Sequence, residues 1–221
     1  MSDDPQDDAN PGQITDYDPQ GNLRAVYQRV DGKIEGRAQF YDKGTLVQEG
    51  AFKAGLLHGE NRMYRDGALV QVSHHAEGKL HGEYVEYVNG EVSVRHHFDD
   101  GLLHGRSEFF KSGQKTQISE FDRGLLHGET LFFDDFEEVQ QSIPFVQGQK
   151  SGTSVFYDKG RRQMEVEFQD DRQNGWLTTY SPTGGVMARI PYLDGKKHGE
   201  AQYFDLDGNL VKTETFDAGK L

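Results

Sequence analysis

The phrase Gly-Leu-Leu-His-Gly-Glu at residues 55–60 is followed four residues later by an aromatic, Tyr64. It returns as Gly78-Lys-Leu-His-Gly82-Glu with Tyr87, as Gly101-Leu-Leu-His-Gly105-Arg with Phe110, and as Gly124-Leu-Leu-His-Gly128-Glu with Phe133. Weaker copies open at Gly32, Gly148 and Asp171, and a fuller one at Gly195. The second glycines fall at 36, 59, 82, 105, 128, 152, 175 and 199, giving steps of 23, 23, 23, 23, 24, 23 and 24. A fixed period of this length describes a tandem array, in which each repeat buries its faces against its neighbours and no central core is required.

Within a repeat the apolar pattern has the period of two that belongs to strands. In the second copy, Glu60-Asn-Arg-Met-Tyr64 and Leu69-Val-Gln-Val-Ser-His-His75 flank Asp66-Gly67. Asp-Gly between two such runs predicts a two-residue hairpin turn, because that turn needs positive φ at both central positions. Tyr64 is then expected to pair with Leu69. Three copies are longer between these markers, at residues 133–139, 180–186 and 204–210. Placing the extra residue in the turn restores the pairings Phe133 with Val139, Tyr180 with Val186 and Phe204 with Leu210, whereas an insertion in a strand would flip every side chain beyond it. Residues 16–23 repeat the pattern of residues 204–210, so an N-terminal half-repeat is expected to cap the array. Gly219-Lys220-Leu221 opens a ninth copy.

The expected fold is therefore all-β: an elongated, twisted antiparallel meander of about eight tandem 23-residue hairpins over residues 14–221. Residues 1–13, rich in Asp, Pro, Gln and Asn, are expected to form a disordered acidic tail. Counting by twos from Leu69 puts Tyr64, Leu69 and His75 on one face; the equivalents of His75 are Phe52, Phe98, Phe121, Phe145, Phe168, Tyr192 and Phe216. The same count puts Phe40, Met63, Phe109, Phe132, Phe156 and Tyr203 on the opposite face. The aromatic stripe is expected to supply most of the burial.

A net charge of −13, from 37 acidic and 24 basic side chains, opposes binding to phosphate backbones and to anionic lipid, so neither nucleic acid nor membrane is expected as partner. It suits a protein partner with a basic surface. Cysteine is absent, which removes disulfides, thiolate catalysis and cysteine metal sites. No apolar run approaches the roughly 20 residues of a membrane helix, and residues 1–8 lack the basic and apolar regions of a signal peptide. A cytoplasmic location is the expectation if residue 1 is the native start, and a periplasmic one if a signal peptide has been removed.

The phrase Gly-x-x-x-Gly-x-x-x-x-aromatic on a 23-residue hairpin resembles the membrane occupation and recognition nexus (MORN) repeat, and in particular its bacterial variant. The resemblance covers about residues 14–221. It implies a hairpin array, and for function it implies the role of bacterial proteins built of this variant: antitoxins of toxin–antitoxin systems, or immunity proteins against secreted effectors, including phospholipase-type effectors. A structural or membrane-peripheral tether is the alternative it implies. The seventh repeat departs most from the pattern, lacking the first glycine and the histidine and carrying the single tryptophan, Trp176.

Histidine is the one recurrent chemical signal. His58, His81, His127 and His198 stand in His-x-Glu, and His104 in His-x-Arg. Equivalent positions in successive repeats lie two strands apart, roughly 9–10 Å, too far for a shared metal bound at about 2 Å. A structural role at the glycine bend is the expectation, with no metal, no cofactor and no enzymatic activity. No Gly-x-Ser-x-Gly elbow or phosphate loop occurs. Partner-binding specificity is expected where copies deviate from the pattern: His74, His75, His96, His97, Phe136 and Trp176. Acidic pairs at the joints and tips, such as Asp99-Asp100 and Asp170-Asp171, either protect sheet edges or steer a basic partner.

Overall fold

The computed structural model describes residues 12–220. Every strand pairing in it is antiparallel and no described residue is helical, as the repeat pattern predicts. The chain divides into two compact blocks, Met1–Leu102 and Leu103–Leu221. The acidic tail expected at residues 1–13 lies almost entirely outside the described residues, although Gln13 already opens a strand.

The N-terminal block is a meander of β1 (Gln13–Tyr17), β2 (Leu23–Val30), β3 (Lys33–Asp42), β4 (Thr45–Lys53), β5 (Leu56–Arg65), β6 (Ala68–Ala76), β7 (Lys79–Val88) and β8 (Glu91–Asp99), each paired with the next. After the short β9 (Leu102–Leu103), the C-terminal block continues with β10 (Gly105–Lys111), β11 (Gln114–Asp122), β12 (Leu125–Phe133), β13 (Val139–Val146), β14 (Gln149–Lys150), β15 (Gly152–Asp158), β16 (Arg161–Gln169), β17 (Arg172–Tyr180), β18 (Val186–Leu193), β19 (Lys196–Lys197), β20 (Gly199–Phe204) and β21 (Leu210–Phe216). The half-repeat and three interruptions just before Gly105, Gly152 and Gly199 account for the strands beyond two per repeat.

The predicted turns form as expected. Tyr64 pairs with Leu69 across Asp66-Gly67, whose φ angles are 50° and 78°. In the longer copies Phe133 pairs with Val139, Tyr180 with Val186 and Phe204 with Leu210. Two of these turns share a device: the carboxylate of Asp134 accepts N–H bonds from Phe136 and Glu138, and that of Asp205 from Asp207 and Asn209. Asp18 makes the same pair of bonds in the half-repeat, where Tyr17 pairs with Leu23. A short carboxylate reaching backbone N–H groups two and four residues on holds the extra residue out of the strands.

One expectation fails. Val70 is an extra residue in β6, since Tyr64 pairs with Leu69 but Met63 pairs with Gln71. A one-residue bulge reverses the alternation beyond it. Consequently Phe52, His75 and their equivalents share a face with Phe40 and Met63, opposite Tyr64 and Leu69. The same bulge recurs in every repeat.

The deepest side chains are small: Ser73, Ser107, Ser119 and Ser154 are the largest that are fully buried, and Ala38 and Ala201 join them. In three hairpins two small residues pair with each other, Ala38 with Gly50, Asn61 with Ser73 and Ser107 with Ser119, whereas Ser154 pairs with Val166 and Ala201 with Glu214; this is the Ser73 face. Aromatic rings flank these pairs and are half-buried. Most of these buried polar atoms find one another: Gln48 Nε2 donates to Asn61 Oδ1 at 2.6 Å, Asn61 Nδ2 to Ser73 Oγ at 3.4 Å, and Thr130 Oγ1 to Ser119 Oγ at 3.2 Å, whereas Ser154 Oγ has no hydrogen-bond partner among the described residues.

Candidate functional site

The recurring phrase builds two features, one from each glycine. The first glycine closes the turn between repeats and sends its N–H back to the preceding repeat. Gly55 donates to the carbonyl of Ile34, Gly78 to Leu57 and Gly101 to Leu80. In the C-terminal block Gly124 donates to Leu103, Gly148 to Leu126 and Gly195 to Gln173, all at 2.7–2.9 Å. Asp171 substitutes for this glycine at φ 65° and keeps the bond, to Lys150.

The second glycine makes a wide bulge. Gly50 pairs with Asn61 but Phe52 pairs with Leu57, so His58, Gly59 and Glu60 together face Ala51. Gly59 has φ 97°, and a side chain there would approach Ala51 Cβ to 3.5 Å. The residue opposite this glycine occupies the hollow: His74 against Gly82, Glu120 against Gly128, Pro144 against Gly152, Glu167 against Gly175 and Pro191 against Gly199. The bend folds Leu57 over Gly50, where an added Cβ would lie 3.1 Å from Leu57 Cδ2.

The motif histidines are exposed and three of them meet an aspartate: His81 Nδ1 lies 3.2 Å from Asp99, His104 Nδ1 3.5 Å from Asp122, and His198 Nδ1 3.4 Å from Asp217. The acid therefore comes from the neighbouring strand and not from the Glu two residues on. Among the described residues no group of three or more His, Asp or Glu side chains is placed to hold a metal ion.

The candidate residues do not form one cluster. His74 sits in its bulge, with Nδ1 3.2 Å from the Glu83 carbonyl. His75 lies half-buried in the Phe52 row, and its buried Nδ1 has no hydrogen-bond partner among the described residues. Burial, and then the neighbouring His74, hold its pKa below the ordinary histidine value. His96 pairs with Tyr84 where the first, second and fourth repeats pair small residues, its ring 6.0 Å from that of Tyr84 and 6.0 Å from that of Phe98. Burial likewise depresses His96, against the pull of Glu86. The Tyr84 hydroxyl donates to Glu86 Oε1, and burial followed by this bond pushes its pKa up to about 12. His97 is exposed opposite Glu83.

In the C-terminal block, Phe136 projects from the tip between β12 and β13, 86% exposed and flanked by Asp134, Asp135, Glu137 and Glu138. The tip is tied down: Gln114 Nε2 donates to the Asp135 carbonyl at 2.8 Å, and the Lys115 N–H donates to Glu137 Oε1 at 3.1 Å. Trp176 is 39% exposed beside Pro191, and its backbone N–H donates to Glu167 Oε2 at 3.0 Å.

The structure also brings together groups that the strand alternation leaves unconnected. Tyr64 OH donates to Glu49 Oε1 at 2.7 Å, and Arg62 reaches Glu49 at 3.5 Å and Glu60 at 2.8 Å. The Tyr64 hydroxyl, with Gln39 and the arginines, holds the Glu49 carboxyl low against the opposing effect of burial. Gln39, Glu49, Arg37, Ala51 and Glu60 line a hollow of about 520 Å³ in the N-terminal block. Tyr180, Glu165 and Arg162 repeat the arrangement in the C-terminal block, with Tyr180 OH 2.6 Å from Glu165 Oε2. The 15-residue spacing from Glu49 to Tyr64 and from Glu165 to Tyr180 was the one sequence signal for it.

This hairpin, with its glycine bulge and aromatic before the turn, is complete in the eighth repeat, where β20 and β21 follow His198-Gly199. Residues 197–218 match the MORN repeat variant family. The other hairpins have the same pairing register as this MORN repeat: Tyr203 opposite Lys212 corresponds to Met63 opposite Gln71 and Phe132 opposite Gln141. A comparison with curated proteins finds no match.

Proposed function

We propose that this chain is a non-catalytic scaffold that binds a protein partner with a basic surface and masks it, as an antitoxin or immunity protein masks a toxin or secreted effector. The observation that carries this reading is the placement of carboxylates at the joints between repeats. Asp31, Glu77, Asp99 and Asp100 stand there in the N-terminal block, and Asp170, Asp171, Asp194 and Asp217 in the C-terminal block, most of them exposed. The stitch from Gly78, Gly101, Asp171, Gly195 and Gly219 ties the turns that carry all of them but Asp31, so those charges are held in place before a partner arrives. Preorganised charge of one sign favours fast, salt-dependent encounter with the opposite sign. The MORN repeat variant at residues 197–218 supports a scaffold role, and the resemblance of the remaining repeats extends it to the antitoxin and immunity proteins built of such repeats.

Affinity capture from the native host, followed by identification of the bound protein and co-expression of the pair, tests the proposal. A basic protein that is eluted by salt, and whose toxicity co-expression relieves, is the expected result. Recovery of no stable partner, or sedimentation of the chain with anionic vesicles at physiological salt, overturns it; the second outcome points to a membrane-peripheral tether.

A further inference from the structure

We propose that the ring-bearing face of the C-terminal block binds a proline-rich segment of a partner protein in the polyproline II conformation, with acidic residues set beside its prolines. This concerns a face of the sheet and does not rest on the joint carboxylates.

The face is the one that carries Ser119 and Ser154. Phe121, Phe145, Phe168 and Tyr192 stand on it at steps of 24, 23 and 24 residues, one per repeat and all half-buried. A second row on the same face, nearer the tips, contains Phe132, Phe156 and Tyr203. Strand alternation sends the acidic side chains of these strands the other way: Glu120, Glu129, Glu165 and Glu167 lie on the opposite face. Between the two rows, from β11 to β20, no described residue puts a carboxylate on the ring face, although the chain carries a net charge of −13.

The charges that do occur there are positive. Lys150 pairs with Phe145 and lies over the Phe168 ring at 5.5 Å; Lys197 pairs with Tyr192 and lies over the Phe216 ring at 4.9 Å. Lys150 has no ion-pair partner among the described residues, and Glu214, on β21, is already paired with Lys212 at 2.7 Å. A surface of rings and lysines from which carboxylates are kept away complements an apolar ligand that carries negative charge.

The spacing selects the ligand's conformation. Equivalent rings sit two strands apart, roughly 9.4–9.8 Å. A polyproline II helix advances about 9.3 Å per three-residue turn, so every third residue meets a ring. An extended strand returns a side chain to one face about every 6.6 Å. An α-helix does so about every 10.5 Å at heptad spacing, and drifts by about 2–3 Å over three repeats. A helix would also need a trench about 10 Å wide, and the floor between the rows is closed: Ser119, Thr130, Ser154, Val166 and Ala201 are at most 3% exposed. The flanking side chains already cover that floor, which leaves the outer ring edges to a slender ligand. Proline packs on such rings, and a chain held in this conformation beforehand loses little entropy on binding.

Titration calorimetry of the 221-residue protein with a synthetic peptide of about five Pro-Ala-Glu triplets tests this. The comparison peptides are one of the same composition with its prolines out of the three-residue period, a Pro-Ala-Lys peptide, and an acidic amphipathic helical peptide. The Pro-Ala-Glu peptide is expected to bind at least about tenfold more tightly than each of the other three. Lys150→Glu should weaken it about tenfold and strengthen the Pro-Ala-Lys peptide, and Phe145→Ala should weaken both. Absence of binding by the Pro-Ala-Glu peptide overturns the proposal, as does equal binding by the peptide with displaced prolines or tighter binding by the helical one. If Phe145→Ala misfolds, Lys150→Glu carries the decision: a reversal of charge preference supports the proposal, and an unchanged preference overturns it.

Discussion

The rings of Phe40 and Phe52 meet edge to face, their centroids 5.9 Å apart and their planes at 67°. Counted by twos along the hairpin they belong on opposite faces. They meet because the bulge after Leu46 shifts the alternation by one: Tyr41 pairs with Leu46 but Phe40 with Gln48. The bulge thus decides which aromatic rows close over the small buried pairs such as Ala38 and Gly50.

Phe52→Ala removes one ring of this pair and exposes the Gly50 hollow that Leu57 and Phe52 cover. Full core truncations of Phe cost about 3–5 kcal/mol; because Phe52 is half-buried, a loss of about 2 kcal/mol is expected. Urea unfolding followed by tyrosine fluorescence measures it. A change smaller than about 0.5 kcal/mol would mean that the pair contributes little to the fold.

Gly50→Ala tests how tightly the bend closes. The new Cβ would lie 3.0 Å from Asn61 Oδ1, 3.1 Å from Leu57 Cδ2 and 3.4 Å from Phe52, so overpacking of about 1–2 kcal/mol is expected. Ser73→Ala is the control, since it keeps a Cβ that the equivalent position already accepts and loses only hydroxyl hydrogen bonds of about 1 kcal/mol. Gly50→Ala should be the more damaging of the two in thermal unfolding.

His75 makes stability depend on pH. Its folded pKa is depressed, so the folded state binds fewer protons than the unfolded one in this range. Its contribution is intact above the unfolded value of about 6.5 and is lost as pH falls from there towards the folded pKa. His75→Phe restores the aromatic found in the other repeats and removes the buried unpartnered nitrogen. It should stabilise the protein by about 1 kcal/mol at pH 7 and flatten the decline below it. The slope that remains belongs to His96, likewise depressed by burial. An unchanged slope in His75→Phe between neutral and mildly acidic pH would refute this account.

Phe136→Ala and Trp176→Ala separate binding from folding. Phe136 is 86% exposed, so its variant should leave the urea midpoint steady, whereas that of Trp176, 39% exposed, should lower stability by about 1 kcal/mol. Aromatic anchors commonly carry about 2 kcal/mol or more of an interface; at least one of the two variants is expected to weaken a captured partner roughly 30-fold in titration calorimetry. Wild-type affinity in both places the interface elsewhere, with the acidic joints as the next surface to mutate.

The period, the hairpin turns and their pairings were fixed by local chemistry. Asp-Gly dictates a tight turn through its φ angles, and the longer copies read correctly because a residue added in a turn leaves both strands in phase. The same locality made Phe136 and Trp176 visible as departures from the repeat. Tertiary pairing alone decided the rest. Whether an extra residue such as Val70 is absorbed as a bulge depends on the partner strand, so the sharing of a face by Phe40 and Phe52 was not legible along one chain segment. The hollow opposite Gly82 that receives His74, and the bond from Tyr64 to Glu49, likewise depend on distances between neighbouring strands. The repeated phrase therefore announced a fold, while the faces and contacts it produces arise only when each hairpin lies against the next.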